Sequence, residues 1–140
     1  MEYIDLRSAI PSDSPHLLVW DNPAEVDLRD IAFQNKAKRI SHRQEWLNRI
    51  PPDSQFLNLD YRSEVQAIRA LCQDVTEPVV LLEDFDYLIS YLSIDPDSPI
   101  TSFWFNIEHM RHLPRILWIL LPSQWVPSDW DTRRLLRISA

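Results

Sequence analysis

Apolar positions along this chain fall into two kinds of stretch: short unbroken runs, and longer segments in which they recur every three or four residues. HLLVW (His16 to Trp20), VVLL (Val79 to Leu82) and ILWILL (Ile116 to Leu121) are apolar without alternation, the pattern of strands buried on both faces. Phe56 to Leu59, ahead of Asp60, predicts one more strand between the first and the one at Val79. From Ala24 to Ile50, Val26, Phe33, Ile40 and Leu47 recur at a spacing of seven, with Ala37 and Ile50 filling the stripe. That spacing predicts two helices divided near Ile40, the second capped by Ser41 with Gln44. Val65, Ile68, Leu71 and Cys72 predict a helix opened by a capping box at Ser63 and closed at Glu77-Pro78. Phe85, Leu88, Ile89 and Leu92 stand at helical spacing, so DFDYLISYL reads as helix. Ser98-Pro99 opens another helix, through Ile100, Phe103, Trp104, Ile107 and Met110, which Pro114 ends. Arg134 to Ser139 fits either a fifth strand or a helix continuing from a cap at Ser128 and Asp131.

Strands that do not alternate, separated by helices, predict an α/β fold: a single-domain three-layer sandwich on a mostly parallel sheet of four to five strands, spanning residues 16–140. Residues 1–15, with only Tyr3, Ile4, Leu6 and Ile10 to bury, read as an N-terminal arm. Right-handed crossovers bring the carboxyl ends of the strands to one edge, which collects Asp21, Asp60, Glu83, Asp84 and Ser123. Carboxylates at such an edge suit Mg²⁺ or Mn²⁺, so Asp21, Asp60, Glu83 and Asp84 are the metal candidates, and Glu83 and Asp84 the catalytic ones. The same residues also serve simply as helix starts.

Composition then narrows the chemistry. The 140 residues contain no glycine and eleven prolines, where average usage predicts roughly ten glycines. A Walker A loop, a dinucleotide fingerprint and a nucleophile elbow all use glycine for close approach or positive φ, so none is present in standard form. A formal charge of −7 argues against nucleic acid as the main partner. The basic cluster Lys36, Lys38, Arg39, Arg43 and Arg49 reads as a solvated helix face or a docking surface for an acidic partner or nucleic acid. The absence of a long apolar run and of signal-peptide features predicts a cytoplasmic protein away from membranes. Cys72, the single cysteine, predicts core packing. His109 and His112, three apart, predict a shared helix face with nothing to complete a metal site.

VVLLED is similar to the Walker B strand of P-loop NTPases, and the order of elements over residues 16–139 resembles a P-loop core of the RecA or AAA type. The resemblance implies that Glu83 matches the acid that holds Mg²⁺ and Asp84 the acid that polarises water, with Ser123 at a sensor position and Arg133 or Arg134 near nucleotide. WDNPAEVDLRD, where phosphate would sit, has neither the glycines nor the lysine and hydroxyl of a Walker A motif. The resemblance therefore implies a degenerate, non-hydrolysing relative without a bound cofactor, serving as a protein-interaction or adaptor subunit. In strand order the chain is also broadly similar to small P-loop proteins of bacterial BREX-type phage-defence systems. HLLVWDNPAEVDL is similar to the first strand and acidic turn of a receiver domain, which implies Asp84 as phospho-acceptor, Asp21 in its metal pocket and Ser123 as hydroxyl, with the first and third strands adjacent. Lys36 and Lys38 are the only lysines and precede that strand, so this would be a pseudo-receiver. The third alternative is a metal-dependent hydrolase, nuclease or phosphatase, on the acidic edge. LPSQWVPSDW and the arginines after it predict a protein-contact surface at Trp125, Trp130, Arg133 and Arg134.

Overall fold

The computed structural model describes residues 4–49, 61–94 and 99–138. The order of elements is β1 (His16–Trp20), α1 (Glu25–Asn35), β2 (Ala37–Ser41), α2 (His42–Arg49), α3 (Tyr61–Asp74), β3 (Val79–Glu83), α4 (Asp86–Ser93), α5 (Pro99–Glu108), β4 (Ile116–Leu121) and β5 (Leu135–Ile138). Two short 3₁₀ turns, Ser123–Trp125 and Thr132–Arg134, join β4 to β5. The five strands form one parallel sheet in the order β2-β3-β4-β1-β5. β1 and β3 are buried at every position, which is why their sequences do not alternate.

Each strand sends alternate side chains to opposite layers. Leu17, Val19, Val80, Leu82, Leu117 and Ile119 pack with Ile68, Leu88, Phe103 and Ile107 of α3, α4 and α5. Leu18, Trp20, Val79, Leu81 and Trp118 pack on the other face with Leu28 and Ile31 of α1. The crossover from β1 to β2 runs across the sheet in the opposite direction from the later ones, so right-handed connections place α1 alone on its face. Residues 4–15 share that face instead of standing off as an arm. Leu6 is fully buried, and its N–H donates to Asn35 Oδ1 at 2.8 Å. The Asn35 amide donates to the Ile4 and Ile31 carbonyls at 2.7 and 2.9 Å, and Trp118 Nε1–H to the Leu6 carbonyl at 2.9 Å. A buried asparagine thus has its polar atoms satisfied, while locking the segment to the end of α1.

The largest departure from the sequence pattern lies at Ala24 to Ile50. The seven-residue stripe is not a buried face: Val26 is 49%, Phe33 85% and Leu47 46% exposed. α1 instead buries Leu28, Ile31, Ala32 and Asn35, an i, i+3, i+4, i+7 set. Lys36 ends it at φ 54°, its N–H returning to the Ala32 and Phe33 carbonyls, in the left-handed position usually given to glycine. AKRIS then forms edge strand β2 in place of more helix. The Ser41 cap is present, with its hydroxyl accepting from the Gln44 N–H at 3.2 Å. α3 is already helical at Tyr61, so Ser63 lies within it and does not cap it. The strand expected at Phe56 to Leu59 lies outside the described residues. α5 ends at Glu108, so His109 and His112 share no helix face; His109 Nδ1–H donates to the Phe105 carbonyl at 2.8 Å and His112 stands at φ 64°.

Among the described residues no helix is long and apolar enough to cross a membrane. β4 lies between β1 and β3, so the strand order departs from the adjacency that the receiver resemblance requires. Cys72 is fully buried in α3, and burial pushes its thiol up to about 11. An aromatic disulfide reagent is accordingly expected to leave the folded protein unlabelled and to titrate one thiol per chain after denaturation.

Candidate functional site

The carboxyl edge of the sheet carries Asp21 just past β1, Glu83 and Asp84 at the end of β3, and acids in the first turns of α1 and α4, and four of these six have a side-chain hydrogen-bond partner. Asp21, just past β1, accepts the Ser123 N–H at 2.8 Å and the Ser123 hydroxyl at 2.9 and 3.1 Å. Those bonds hold its carboxyl below the ordinary aspartate value, the backbone N–H contributing most. They also join the loop after β1 to the loop after β4, so Ser123 is occupied as the acceptor's donor.

Glu83, the last residue of β3, faces Arg39 of β2, which lies two residues before Ser41, its register partner. Arg39 Nε donates to Glu83 Oε2 at 2.7 Å and Nη2 to Oε1 at 2.9 Å. The same guanidinium reaches Glu25 in the first turn of α1, at 2.6 and 3.0 Å. One cation therefore grips two carboxylates, each with two bonds, in the geometry that the planar fork favours. Its pairing with Glu83, then with Glu25, holds the guanidinium firmly charged. The Glu25 carboxyl in turn is held below its usual range, chiefly by Arg39.

Asp84 differs from the others. It is exposed, stands at φ 63° and makes no side-chain hydrogen bond or ion pair among the described residues. Asp86, two residues on, is bound by both oxygens to Arg43 Nη2 at 2.9 and 2.8 Å. Asp60 lies outside the described residues. Among the described residues no three His, Cys, Asp or Glu side chains gather so as to hold a metal ion. Of the four metal candidates, the fold thus leaves Asp21 with Ser123, Glu83 with Arg39, and Asp84 facing solvent.

The expected contact surface needs correction. Trp130 is 4% and Arg134 3% exposed. The Trp130 indole N–H donates to the Arg134 carbonyl at 3.0 Å, its ring meets Trp104 edge-on at 6.0 Å, and the Arg134 guanidinium lies 4.9 Å from its centroid. Arg134 also donates to the carbonyls of Pro15 and Glu108 at 3.0 and 3.1 Å. These two residues close the end of the β4 to β5 connection and present no free surface. Arg133 is exposed and paired with Asp131; Trp125 is half-buried.

A second polar group escaped the sequence pattern altogether. His42, fully buried at the start of α2, stacks on Phe85 at 4.7 Å, and the Tyr87 hydroxyl bonds its Nδ1. Its Nε2 lies 3.2 Å from Glu64 Oε1 without the alignment of a full hydrogen bond. Arg49 donates to Glu64 Oε1 at 2.7 Å. Burial alone would raise the Glu64 carboxyl, but His42 and Arg49 together bring it below its ordinary value. Burial pushes the Tyr87 phenol up, well out of reach of neutral pH. The group ties α2, α3 and α4 together and opens on none of the described clefts.

One of those clefts sits at the carboxyl edge itself. It has a volume of about 290 Å³ and lies where β1, β3 and β4 end, walled by Trp20, Leu121, Pro122 and Trp125, with Asp84 and the Arg43–Asp86 pair at its polar side. No protein-family profile matches the chain, and no curated protein matches it significantly.

Proposed function

We propose that the protein is a non-catalytic interaction or adaptor subunit built on a degenerate P-loop-like core. The observation that carries this reading is the Arg39 clamp. In a P-loop enzyme of the kind that residues 16–139 resemble, the first acid after the third strand faces Mg²⁺ and the turn before the first helix faces phosphate. Here Glu83 at the first of those places and Glu25 at the second are bonded to each other's cation. An incoming metal must compete with a bidentate guanidinium, and an incoming phosphate with the carboxylates of Glu25 and Asp27 in the first turn of α1. The turn from Asp21 to Ala24 supplies no glycine and no lysine in compensation.

A BREX-type defence or other regulatory assembly is the setting that the resemblance suggests, with a protein as partner. The test is a thermal-shift panel of ATP, GTP, Mg²⁺ and Mn²⁺ on the wild-type protein and on Asp84→Ala. A ligand at a hundred times its Kd would stabilise the fold by about 2.7 kcal/mol, so occupancy would be plain. The expected result is a set of superimposable melting curves. Stabilisation by a nucleotide overturns the reading, and stabilisation by metal alone that Asp84→Ala removes favours a metal-dependent hydrolase.

A further inference from the structure

From the cleft where β1, β3 and β4 end, its unpartnered Asp84 and its half-buried Trp125, we infer that the protein binds an arginine side chain presented by a partner protein. The inference rests on the interaction-subunit reading above and gives it a site and a chemistry.

Topology comes first. The connection leaving β1 passes to α1 on one face of the sheet, while the connection leaving β4 passes over the other face through Trp125 and Trp130. Adjacent strands whose connections diverge in this way open a crevice beyond their carboxyl ends, the usual place for a ligand in an open α/β sheet. The cleft lies in that crevice, bounded by Trp20 on the β1 side and by Leu121, Pro122 and Trp125 on the β4 side.

Charge then selects the ligand. Arg43, the one cation in the cleft wall among the described residues, is bound to both oxygens of Asp86. That leaves the Asp84 carboxylate uncompensated, and the chain as a whole carries −7. An anion entering here meets net negative charge, whereas a cation meets a free carboxylate, and the overall field draws basic segments in. Walls of tryptophan, leucine and proline suit the apolar stem of a long side chain. A guanidinium, weakly hydrated and planar, can lie on the Trp125 ring and give two bonds to the Asp84 carboxylate, which a strongly hydrated ammonium does less well. A protein segment is the favoured source because an isolated guanidinium has no apolar stem to bury against Trp20, Leu121 and Pro122.

The test is a ¹H–¹⁵N titration of the whole chain with a short capped alanine peptide carrying one arginine. The Trp125 indole signal is assigned by its loss in Trp125→Phe. The control peptide carries citrulline, which keeps the shape and removes the charge. The Trp125 indole and Asp84 amide signals are expected to move with the arginine peptide and to stay in place with the citrulline peptide. Asp84→Asn, which tolerates the same left-handed backbone, is expected to weaken the response by about tenfold or more. Three results would overturn the inference: no movement of either signal up to millimolar peptide, an equal response to citrulline, or an unchanged response in Asp84→Asn. Guanidinium chloride binding as tightly as the peptide overturns the assignment to a protein segment. None of these results bears on the nucleotide panel, so the adaptor reading stands or falls separately.

Discussion

Trp130→Ala is expected to lower the unfolding free energy by about 3–5 kcal/mol, the range for removing a large aromatic side chain from a packed core. The loss has three identifiable parts. The ring fills space against Trp104, which it meets edge-on at 6.0 Å; the indole N–H satisfies the Arg134 carbonyl at 3.0 Å; and the ring face supports the Arg134 guanidinium at 4.9 Å. Arg134 is itself 3% exposed, so truncating Trp130 leaves a charged group beside a cavity with one face bare, and an under-supported buried charge is costly. Burial already pulls the Arg134 guanidinium below its ordinary value, in keeping with a site where charge is tolerated only through its contacts. Trp125→Ala, at a half-buried position, is expected to cost about 1 kcal/mol. Urea denaturation with the two slopes unchanged separates the variants. Equal and small losses would restore Trp130 to the surface role that its proline-bounded sequence suggests.

That mistaken surface role and the stripe from Val26 to Leu47 have a common origin. Periodicity reports burial only where the element type is already right, and Val26, Phe33, Ile40 and Leu47 sit at a spacing of seven while belonging to α1, β2 and α2. With no glycine to mark the end of α1, the stop falls on Lys36 at φ 54°, a residue that gives no such signal. The central strands were legible because burial on both faces forces unbroken apolar sequence: β1 and β4 begin and end at the expected residues, and β3 extends by Glu83 alone. Edge strand β2 carries one buried residue, Ile40, too little to write a pattern. The acidic edge was legible as an edge, because a parallel sheet gathers its carboxyl ends. The partners were not. Arg39 reads as one of five basic residues on a helix face until β2 places it beside Glu83, and Glu64 and His42 meet only because the fold brings the start of α3 to the start of α2. Pairings between residues some twenty to forty positions apart are products of topology, which a local pattern does not contain.

Arg39→Ala is the variant that weighs most on the proposed function, and it is expected to destabilise the protein by about 3 kcal/mol at neutral pH. The weight falls on Glu83, whose side chain is 12% exposed, and much less on Glu25 at 71%. Removing the guanidinium leaves a largely buried carboxylate with no cation and a second carboxylate drawn up near it. Arg39→Lys keeps the charge but not the fork that serves four oxygens, so an intermediate loss is expected. Replacing the buried pair together, Arg39→Met with Glu83→Leu, removes the unpaired charge and is expected to come back to within about 1 kcal/mol of wild type. The pH dependence fixes the sign. Arg39 holds the Glu25 carboxyl below its ordinary value of 4.5, and a carboxyl depressed in the folded state stabilises it above the unfolded value and ceases to as pH falls through the folded one. The Glu25 share of the gap between wild type and Arg39→Ala should therefore be present at neutral pH and fall away as the pH drops below about 4.5, narrowing the gap without closing it. A gap wholly independent of pH would mean that Arg39 gains nothing from Glu25, and the reading of the clamp as a bridge between the metal and phosphate positions would lose its support. Because the turn at Asp21 to Ala24 lacks glycine and lysine, none of these variants is expected to gain stabilisation from ATP or GTP, so loss of the clamp is read in stability alone.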